Sequence, residues 1–417
     1  MYRKSVLPNG IRIVSETIPY VKSVTLGIWV NTGSRYEEED NHGVSHFIEH
    51  LLFKGTLSRS AKDIAEQVDA VGGQLNAFTA KEYTCYYMKI LDTHTELAMD
   101  ILSDMLCFSK FDPADIERER EVVMEEINMY EDSPDELVHD LYLDHVWPGH
   151  TLGRNILGTV QSVKELNRTK VLEYYRRFYT PDNMVIAAAG NITHEGVTAL
   201  AERFFGSLTG TKRTSLALPP VLTSAYTVQT KDTEQVHFCL GTGSVPQNSP
   251  DIYTVHILNN ILGGGISSRL FQSIREERGL AYSVYSYQTN YSDAGLLTIY
   301  AGTRPGNASQ VIELILQNIK ELCRQGITEA ELVKTKEQLK GSLLLGLESS
   351  NSRMSRLGKM EVTMNKYITL EEIIEKIEQV SLADFRNMCD RLFLQQALSL
   401  TALGPVSGEQ LPADLKI

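Results

Sequence analysis

Two histidines and one glutamate lie close together near the start of the chain. His46 and His50 are four positions apart in an apolar, amphipathic segment, so on a helix both imidazoles project from one face about one turn apart. Glu49 precedes His50 on the same side, where its carboxylate can reach a water on a metal ion without itself being a ligand. This spacing predicts two metal ligands and a general base. The alternative is a helix whose histidines are ordinary core or surface residues.

The order His-x-x-Glu-His is the motif of the inverted zincins. A catalytic zinc needs three protein ligands and one open position, so a third ligand must come from elsewhere in the chain. A charged segment, predicted to be helical from Asp112 to Met129, carries suitable carboxylates. They are Glu117, Glu119, Glu121, Glu125 and Glu126. Glu119 and Glu126 lie two turns apart on one stripe, beside an apolar stripe. A solvated acidic face is the alternative interpretation.

The elements that must position these residues follow the pattern of an α+β protein. Short apolar or alternating runs predict strands, whereas a 3.6-residue period with capping signals predicts helices. In the first half the predicted strands are Ile11–Val14, Val24–Val30, Leu75–Met88 and Val185–Gly190, and the further predicted helices are Val44–Phe53 and Ala61–Val71.

The second half of the chain repeats the order of the first. A predicted strand, Val236–Leu240, precedes a predicted helix, Ile252–Leu262, and Leu398–Gly404 echoes Val185–Gly190 in composition and in distance from its own start. Duplication is the simplest account of this similarity. The segment aligned with the histidine motif is Thr254–Asn260 and has asparagines where the motif has Glu49 and His50. Only the first half is therefore expected to bind metal.

A change of composition separates the two halves. Residues 207–225 are rich in Thr, Ser, Leu and Pro and have no helical period, which is typical of a linker. We predict a catalytic domain at 1–212, a linker at 213–225 and a homologous domain without a metal site at 226–417. Each domain is expected to be a mostly antiparallel sheet covered by helices.

Net charge, hydropathy and cysteine content argue against several classes of function. The net charge of −13 disfavours binding to nucleic acid, and no segment has the apolar length of a membrane span. The first residues have no signal-peptide pattern. The five cysteines are scattered singly, which is typical of a reducing compartment. These features favour a cytoplasmic protein without nucleic-acid or membrane partners.

The segment Gly43–Thr56 around the histidine motif closely resembles the pitrilysin and mitochondrial-processing-peptidase family. Four more blocks match that family in the same order, so the resemblance covers essentially the whole chain. These blocks are Gly33–Glu37, Gly73–Thr79, Glu117–Arg120 and Met124–Ile127.

The resemblance implies roles for particular residues. It places the third zinc ligand at Glu126, with Glu125 as the fallback, and it makes Glu119 the supporting acid that orients a ligand or helps to carry protons. One Zn²⁺ per subunit is then expected, together with His46 and His50 as ligands.

Two further groups of residues resemble substrate-binding parts of the family. The segment Asn76, Ala77 and Phe78 is similar to an edge strand to which an extended peptide adds through backbone hydrogen bonds. Arg275 and Tyr282 are similar to a pair that holds the substrate and stabilises the developing oxyanion. The alternatives are an ordinary strand and a structural surface arginine beside a packed tyrosine.

Family members of this length resemble half of a four-domain clamshell and work as dimers. The resemblance therefore implies a homodimeric zinc endopeptidase, in which Arg275 and Tyr282 complete the partner's zinc site across a closed chamber. Such a chamber favours unfolded peptides and oligopeptides as substrates. Two alternatives remain open: a non-catalytic assembly subunit of the same fold, and a presequence-processing peptidase with strict site preference.

Overall fold

The computed structural model describes residues 2–211 and 218–417, which contain eleven strands and fourteen α-helices. The strands are β1 (Tyr2–Val6), β2 (Arg12–Thr17), β3 (Ser23–Val30), β4 (Gln74–Thr79), β5 (Thr84–Leu91), β6 (Met184–Gly190), β7 (Tyr226–Thr230), β8 (Val236–Ser244), β9 (Ala281–Asn290), β10 (Gly295–Thr303) and β11 (Ser399–Gly404). The helices are α1 (Val44–Leu52), α2 (Ala61–Asp69), α3 (Thr95–Phe108), α4 (Pro113–Glu131), α5 (Pro134–Val146), α6 (Val160–Glu165), α7 (Arg168–Phe178), α8 (His194–Phe205), α9 (Ile252–Leu262), α10 (Ala308–Gln325), α11 (Glu329–Gly346), α12 (Ser350–Met364), α13 (Leu370–Gln379) and α14 (Leu382–Cys389).

The chain folds into two compact units. Within the described residues, unit 1 contains 2–128, 155–211 and 345–367, and unit 2 contains 129–154, 218–344 and 368–417. The contiguous domains 1–212 and 226–417 expected from the sequence therefore differ from these units in two segments. Residues 129–154 belong to unit 2, and residues 345–367 belong to unit 1. Residue 212 and residues 213–217 of the expected linker lie outside the described residues.

Five strands of the first sheet, β2 to β6, have the same connectivity as the five strands of the second, and β1 is an additional strand paired antiparallel with β2. The order in unit 1 is β1-β2-β6-β3-β5-β4, and the order in unit 2 is β7-β11-β8-β10-β9. In each sheet one parallel pair, β2 with β6 and β7 with β11, adjoins a run of antiparallel pairs. This arrangement confirms the predicted α+β class, and the repeated topology supports duplication. Strand β4 forms one edge of the first sheet and is paired with β5 alone among the described strands.

Each sheet is covered on one face by a helix from the opposite half of the sequence. Met354 and Leu357 of α12 pack on Trp29 in unit 1, and Val138 and Tyr142 of α5 pack against the second sheet in unit 2. The contact of α12 is close, because a Cβ atom on Gly358 would lie 2.0 Å from the indole nitrogen of Trp29. Glycine is therefore required there.

Most of the predicted elements near the histidine motif are present, with one correction. The three helices expected at 44–53, 61–71 and 112–129 correspond to α1, α2 and α4. The single strand predicted at Leu75–Met88 is instead a hairpin of β4 and β5. The chain turns at Ala80–Tyr83, where the Ala80 N–H donates to the Tyr83 carbonyl at 2.8 Å. No helix in the described residues is both long and apolar enough to span a membrane.

Candidate metal centre

Helix α1 begins without a capping side chain of its own. Gly43 precedes it with φ of 92°, in the left-handed region that favours glycine. Glu37 supplies the missing acceptors, because the backbone N–H groups of Gly43 and Ser45 donate to its two carboxylate oxygens at 2.8 Å. Free N–H groups at the start of a helix need such partners. Glu37 therefore fixes the start of the helix that carries His46, Glu49 and His50.

The loop that carries Glu37 is fastened to the β4–β5 hairpin. The Arg35 N–H donates to the Lys81 carbonyl at 2.8 Å, and the Arg35 guanidinium pairs with Glu82 at 2.7 Å. Both side chains of this ion pair are buried. Burial also raises the pKa of Glu37 to about 7, against the lowering effect of its two backbone hydrogen bonds. The start of α1 and the end of the edge hairpin are thus held together.

His46, His50 and Glu126 converge, although α1 and α4 are distant in sequence. Glu126 Oε2 lies 3.7 Å from His46 Nε2 and 3.4 Å from His50 Nε2. Possible ligand atoms of all three residues lie within 4.8 Å of one another, and no other such trio of His, Cys, Asp or Glu is found in the described residues. Glu125, the fallback ligand, is exposed on α4.

The trio fits a zinc ion. Two ligands bound at 2.0–2.1 Å to one tetrahedral ion lie about 3.3 Å apart, close to the separations from Glu126. Two imidazole nitrogens and one carboxylate oxygen are also a donor set of catalytic zinc sites. Burial lowers the pKa of His46 to about 4, so its imidazole is neutral near pH 7 and can donate a lone pair. The side chain of Glu126 is 44% exposed, which leaves one side of the trio accessible.

Glu119 lies behind His50. One of its carboxylate oxygens is 3.2 Å from His50 Nδ1, and the other is 2.7 Å from the ammonium of Lys54. Glu119 is only 5% exposed, whereas the side chains of His50 and Lys54 are partly exposed. A carboxylate in this position accepts a hydrogen bond from Nδ1–H and so leaves the Nε2 lone pair of the same ring available to a metal.

Glu49 projects from α1 towards the end of β4. The Thr79 hydroxyl donates a hydrogen bond to Glu49 Oε2. Burial raises the pKa of Glu49, whereas the Thr79 hydrogen bond and the neighbouring His50 lower it. A raised pKa brings a carboxylate closer to the range in which it can both accept and release a proton.

The predicted substrate strand lies at the open edge of the first sheet. The side chain of Asn76 is exposed, whereas Ala77 and Phe78 are partly buried. The Ala77 N–H donates to its neighbour Asn76 Oδ1 at 2.8 Å and not to β5. The Phe78 ring packs edge-on against Trp29, with 5.6 Å between ring centroids. The backbone of this strand is therefore exposed at its outer edge, and Phe78 has a packing role.

Arg275 and Tyr282 lie together in unit 2. The Arg275 guanidinium lies between two rings, 4.8 Å from the centroid of Phe271 and 4.7 Å from that of Tyr282. Tyr282 is 76% exposed. Such stacking orients the guanidinium, whose Nε also lies 4.0 Å from a carboxylate oxygen of Glu276.

Sequence reasoning assigned no role to Glu37, Lys54 or Thr79. All three stand in the family-like blocks Gly33–Glu37, Gly43–Thr56 and Gly73–Thr79. One physical signal was available for the first, because a helix that starts at glycine needs capping acceptors from elsewhere. The other two contacts join distant segments and had no comparable local signal.

Comparison with known proteins identifies the family. The sequence-family model described as Insulinase (Peptidase family M16) matches residues 12–160. A second family model, described as Peptidase M16 inactive domain, matches residues 165–339. The chain is 47% identical over 402 residues to the protein named uncharacterized zinc protease YmxG of Bacillus subtilis, covering 96% of this chain and 98% of that protein. The chain belongs to peptidase family M16, which confirms the resemblance inferred from its motifs.

Other relatives agree in length and fold. An uncharacterized zinc protease of Mycobacterium leprae is 41% identical over 422 residues, covering 99% of this chain and 94% of that protein. The crystal structure of a protease from Helicobacter pylori is similar with a TM-score of 0.91 and 21% identity, covering 97% of this chain and 99% of that chain. A Pseudomonas fluorescens structure of a peptidase M16 inactive domain has a TM-score of 0.90 and 19% identity, covering 97% and 98%. These two structures share the fold.

Proposed function

We propose that this protein is a cytoplasmic zinc metalloendopeptidase with one Zn²⁺ per subunit. The observation that carries the proposal is the convergence of His46, His50 and Glu126 near a fourth side chain, Glu49, which interacts electrostatically with His50 and Glu126. The names of the relatives as zinc proteases support the same conclusion. A structural scaffold has no physical need for all four side chains together.

In this mechanism His46, His50 and Glu126 would hold the metal, which when bound would supply Lewis-acid chemistry and would lower the pKa of water towards about 7. Glu49 takes a proton from the attacking water and passes it to the leaving amine. Glu119 keeps the His50 ring oriented through Nδ1. The Arg275 and Tyr282 pair holds the substrate and stabilises the developing oxyanion.

The substrate would be an unfolded peptide or oligopeptide. An extended chain adds to the outer edge of β4 through backbone hydrogen bonds, which are independent of sequence. We further propose that the active unit is a homodimer enclosing a chamber, in which one protomer's Arg275 and Tyr282 serve the partner's metal centre. A chamber of this kind would exclude folded proteins.

The proposal is tested by zinc content together with hydrolysis of a quenched, unstructured peptide, with and without a chelator. Glu49→Gln is expected to keep zinc and to lose hydrolysis, because only the proton carrier is removed. His46→Ala and Glu126→Ala are expected to lose bound metal. Full activity of the Glu49→Gln variant would show that Glu49 is not the general base.

The same assay separates the alternatives. A wild-type protein that binds no zinc and cleaves no peptide would instead be a non-catalytic assembly subunit. Cleavage restricted to one site near the N-terminus of presequence-like peptides would indicate a presequence-processing peptidase.

A further inference from the structure

The Glu49 carboxylate is held on one side by a hydroxyl group. Thr79 donates to Oε2, and in the described parts of the chain no second hydrogen bond to this carboxylate is found. Oε1 therefore has no hydrogen bond within the described residues, and the carboxylate lies near enough to His50 and Glu126 to interact electrostatically with both. A carboxylate on a side chain with three rotatable bonds samples several orientations unless it is fixed by such a contact.

Thr79 is placed by the pleat of β4. Side chains alternate between the two faces of a strand, so Thr79 lies on the same face as Leu75 and Ala77. Those two residues pack against the core that contains α1, whereas Phe78 packs on the opposite face with Trp29. The strand thus directs the Thr79 hydroxyl at the helix that carries Glu49.

The backbone of Thr79 lies at the open edge of the sheet. The Ala80 N–H is bonded across the hairpin to Tyr83, and antiparallel partners alternate between bonded and non-bonded pairs. The N–H groups of Thr79 and Ala77 consequently point away from β5, consistent with the local Ala77 bond to Asn76. Thr79 therefore directs its backbone N–H at the edge where a peptide would add, and it directs its hydroxyl at Glu49.

We propose that Thr79 is a positioning residue that holds Glu49 Oε2 and leaves Oε1 directed at the attacking water. This inference rests on the proposed peptidase function. Because Thr79 ends the strand to which the substrate adds, it also fixes the position of the general base relative to the bound peptide. Misplacement of a catalytic group by about 1 Å can cost on the order of 100-fold in rate.

The experiment compares three variants of the full-length protein. Thr79→Val has the same shape and no hydroxyl, whereas Thr79→Ser keeps the donor. Thr84→Val is the matched control, because Thr84 lies opposite Thr79 in the hairpin and its hydroxyl donates to the Thr32 carbonyl at 2.9 Å. Zinc content, unfolding temperature, kcat and KM for a quenched peptide are measured for each.

Thr79→Val is expected to lower kcat about 10- to 100-fold, with zinc content unchanged and KM within about threefold of wild type. Thr79→Ser should retain most of the kcat, and Thr84→Val should match wild type at temperatures below its unfolding transition. Equal kcat for Thr79→Val and wild type, equal losses for the Val and Ser variants, or a loss confined to KM would each overturn the assignment. A wild-type protein without zinc-dependent hydrolysis would overturn the proposed function itself.

Discussion

His50 is held from two sides, by Glu126 at Nε2 and by Glu119 at Nδ1. Glu119 is in turn paired with Lys54. In a site of this kind the acid behind the histidine determines which ring nitrogen carries the proton. Metal affinity should therefore depend on a residue that is not itself one of the proposed ligands.

Glu119→Gln is expected to weaken zinc binding by about 10- to 100-fold. The amide is a weaker acceptor than a carboxylate for the hydrogen bond from His50 Nδ1–H, and it leaves the Lys54 ammonium without its anionic partner. Zinc retention is measured against a graded series of chelator concentrations. Glu121→Gln, at an exposed position on the same helix, is the control and should retain zinc like wild type. Equal retention by both variants would contradict the role of Glu119.

The spacing of His46, Glu49 and His50 could be interpreted from the sequence because a helix has a fixed period. The partner on α4 could not be chosen in this way, since several glutamates share that helix and only the family resemblance singled out Glu126. The roles of Lys54 and Thr79 were not predicted at all. Each depends on a contact between segments that approach only in the folded chain.

Among the elements, the edge hairpin differs most from its prediction. The segment Leu75–Met88 is rich in Phe, Thr and Tyr, which is the composition of one long strand, and Ala80–Tyr83 contains no glycine or proline to mark the turn. The turn is instead fixed from outside, by the backbone bond and the ion pair that Arg35 makes with residues 81 and 82. Local sequence cannot reveal a turn that is stabilised by a distant loop.

Ala77→Pro tests the proposed substrate edge. Its N–H points away from β5, so proline there removes no hydrogen bond of the sheet but one that a bound peptide would accept. We expect kcat/KM for an unstructured peptide to fall at least about fivefold, corresponding to about 1 kcal/mol for one hydrogen bond. Zinc content and unfolding temperature should change little.

Asn76→Pro provides the contrast. The alternation of the ladder directs the Asn76 N–H at β5, so this substitution should lower the unfolding temperature. An unchanged kcat/KM in Ala77→Pro would argue against peptide addition at this edge.

The whole molecule consists of two units with one topology but different chemistry. The site trio lies in unit 1, and the α9 segment aligned with it has Asn259 and Asn260 in place of an acid and a histidine. Unit 2 instead contains the stacked pair Arg275 and Tyr282. If the pair in each protomer acts at the partner's metal centre, two protomers with different inactivating substitutions should together form one active site.

Mixing Glu49→Gln protomers with Tyr282→Phe protomers is expected to restore part of the hydrolytic activity. A mixed dimer would combine an intact zinc site on one protomer with an intact tyrosine on the other. Activity is measured before and after subunit exchange, which is verified independently with tagged protomers. Exchange without any recovery would argue against a site shared between subunits.

Helix α12 from the second half of the sequence covers the first sheet, and α5 from the first half covers the second. This exchange has a consequence for folding during synthesis. The strands of the first sheet are complete at Gly190, but α12, which covers the face around Trp29, ends only at Met364. At a synthesis rate of 5–20 residues per second, this interval lasts roughly 10 to 35 seconds. During that time α12 is not yet available to cover the face around Trp29, so the first unit cannot complete its fold until most of the second half has been synthesised.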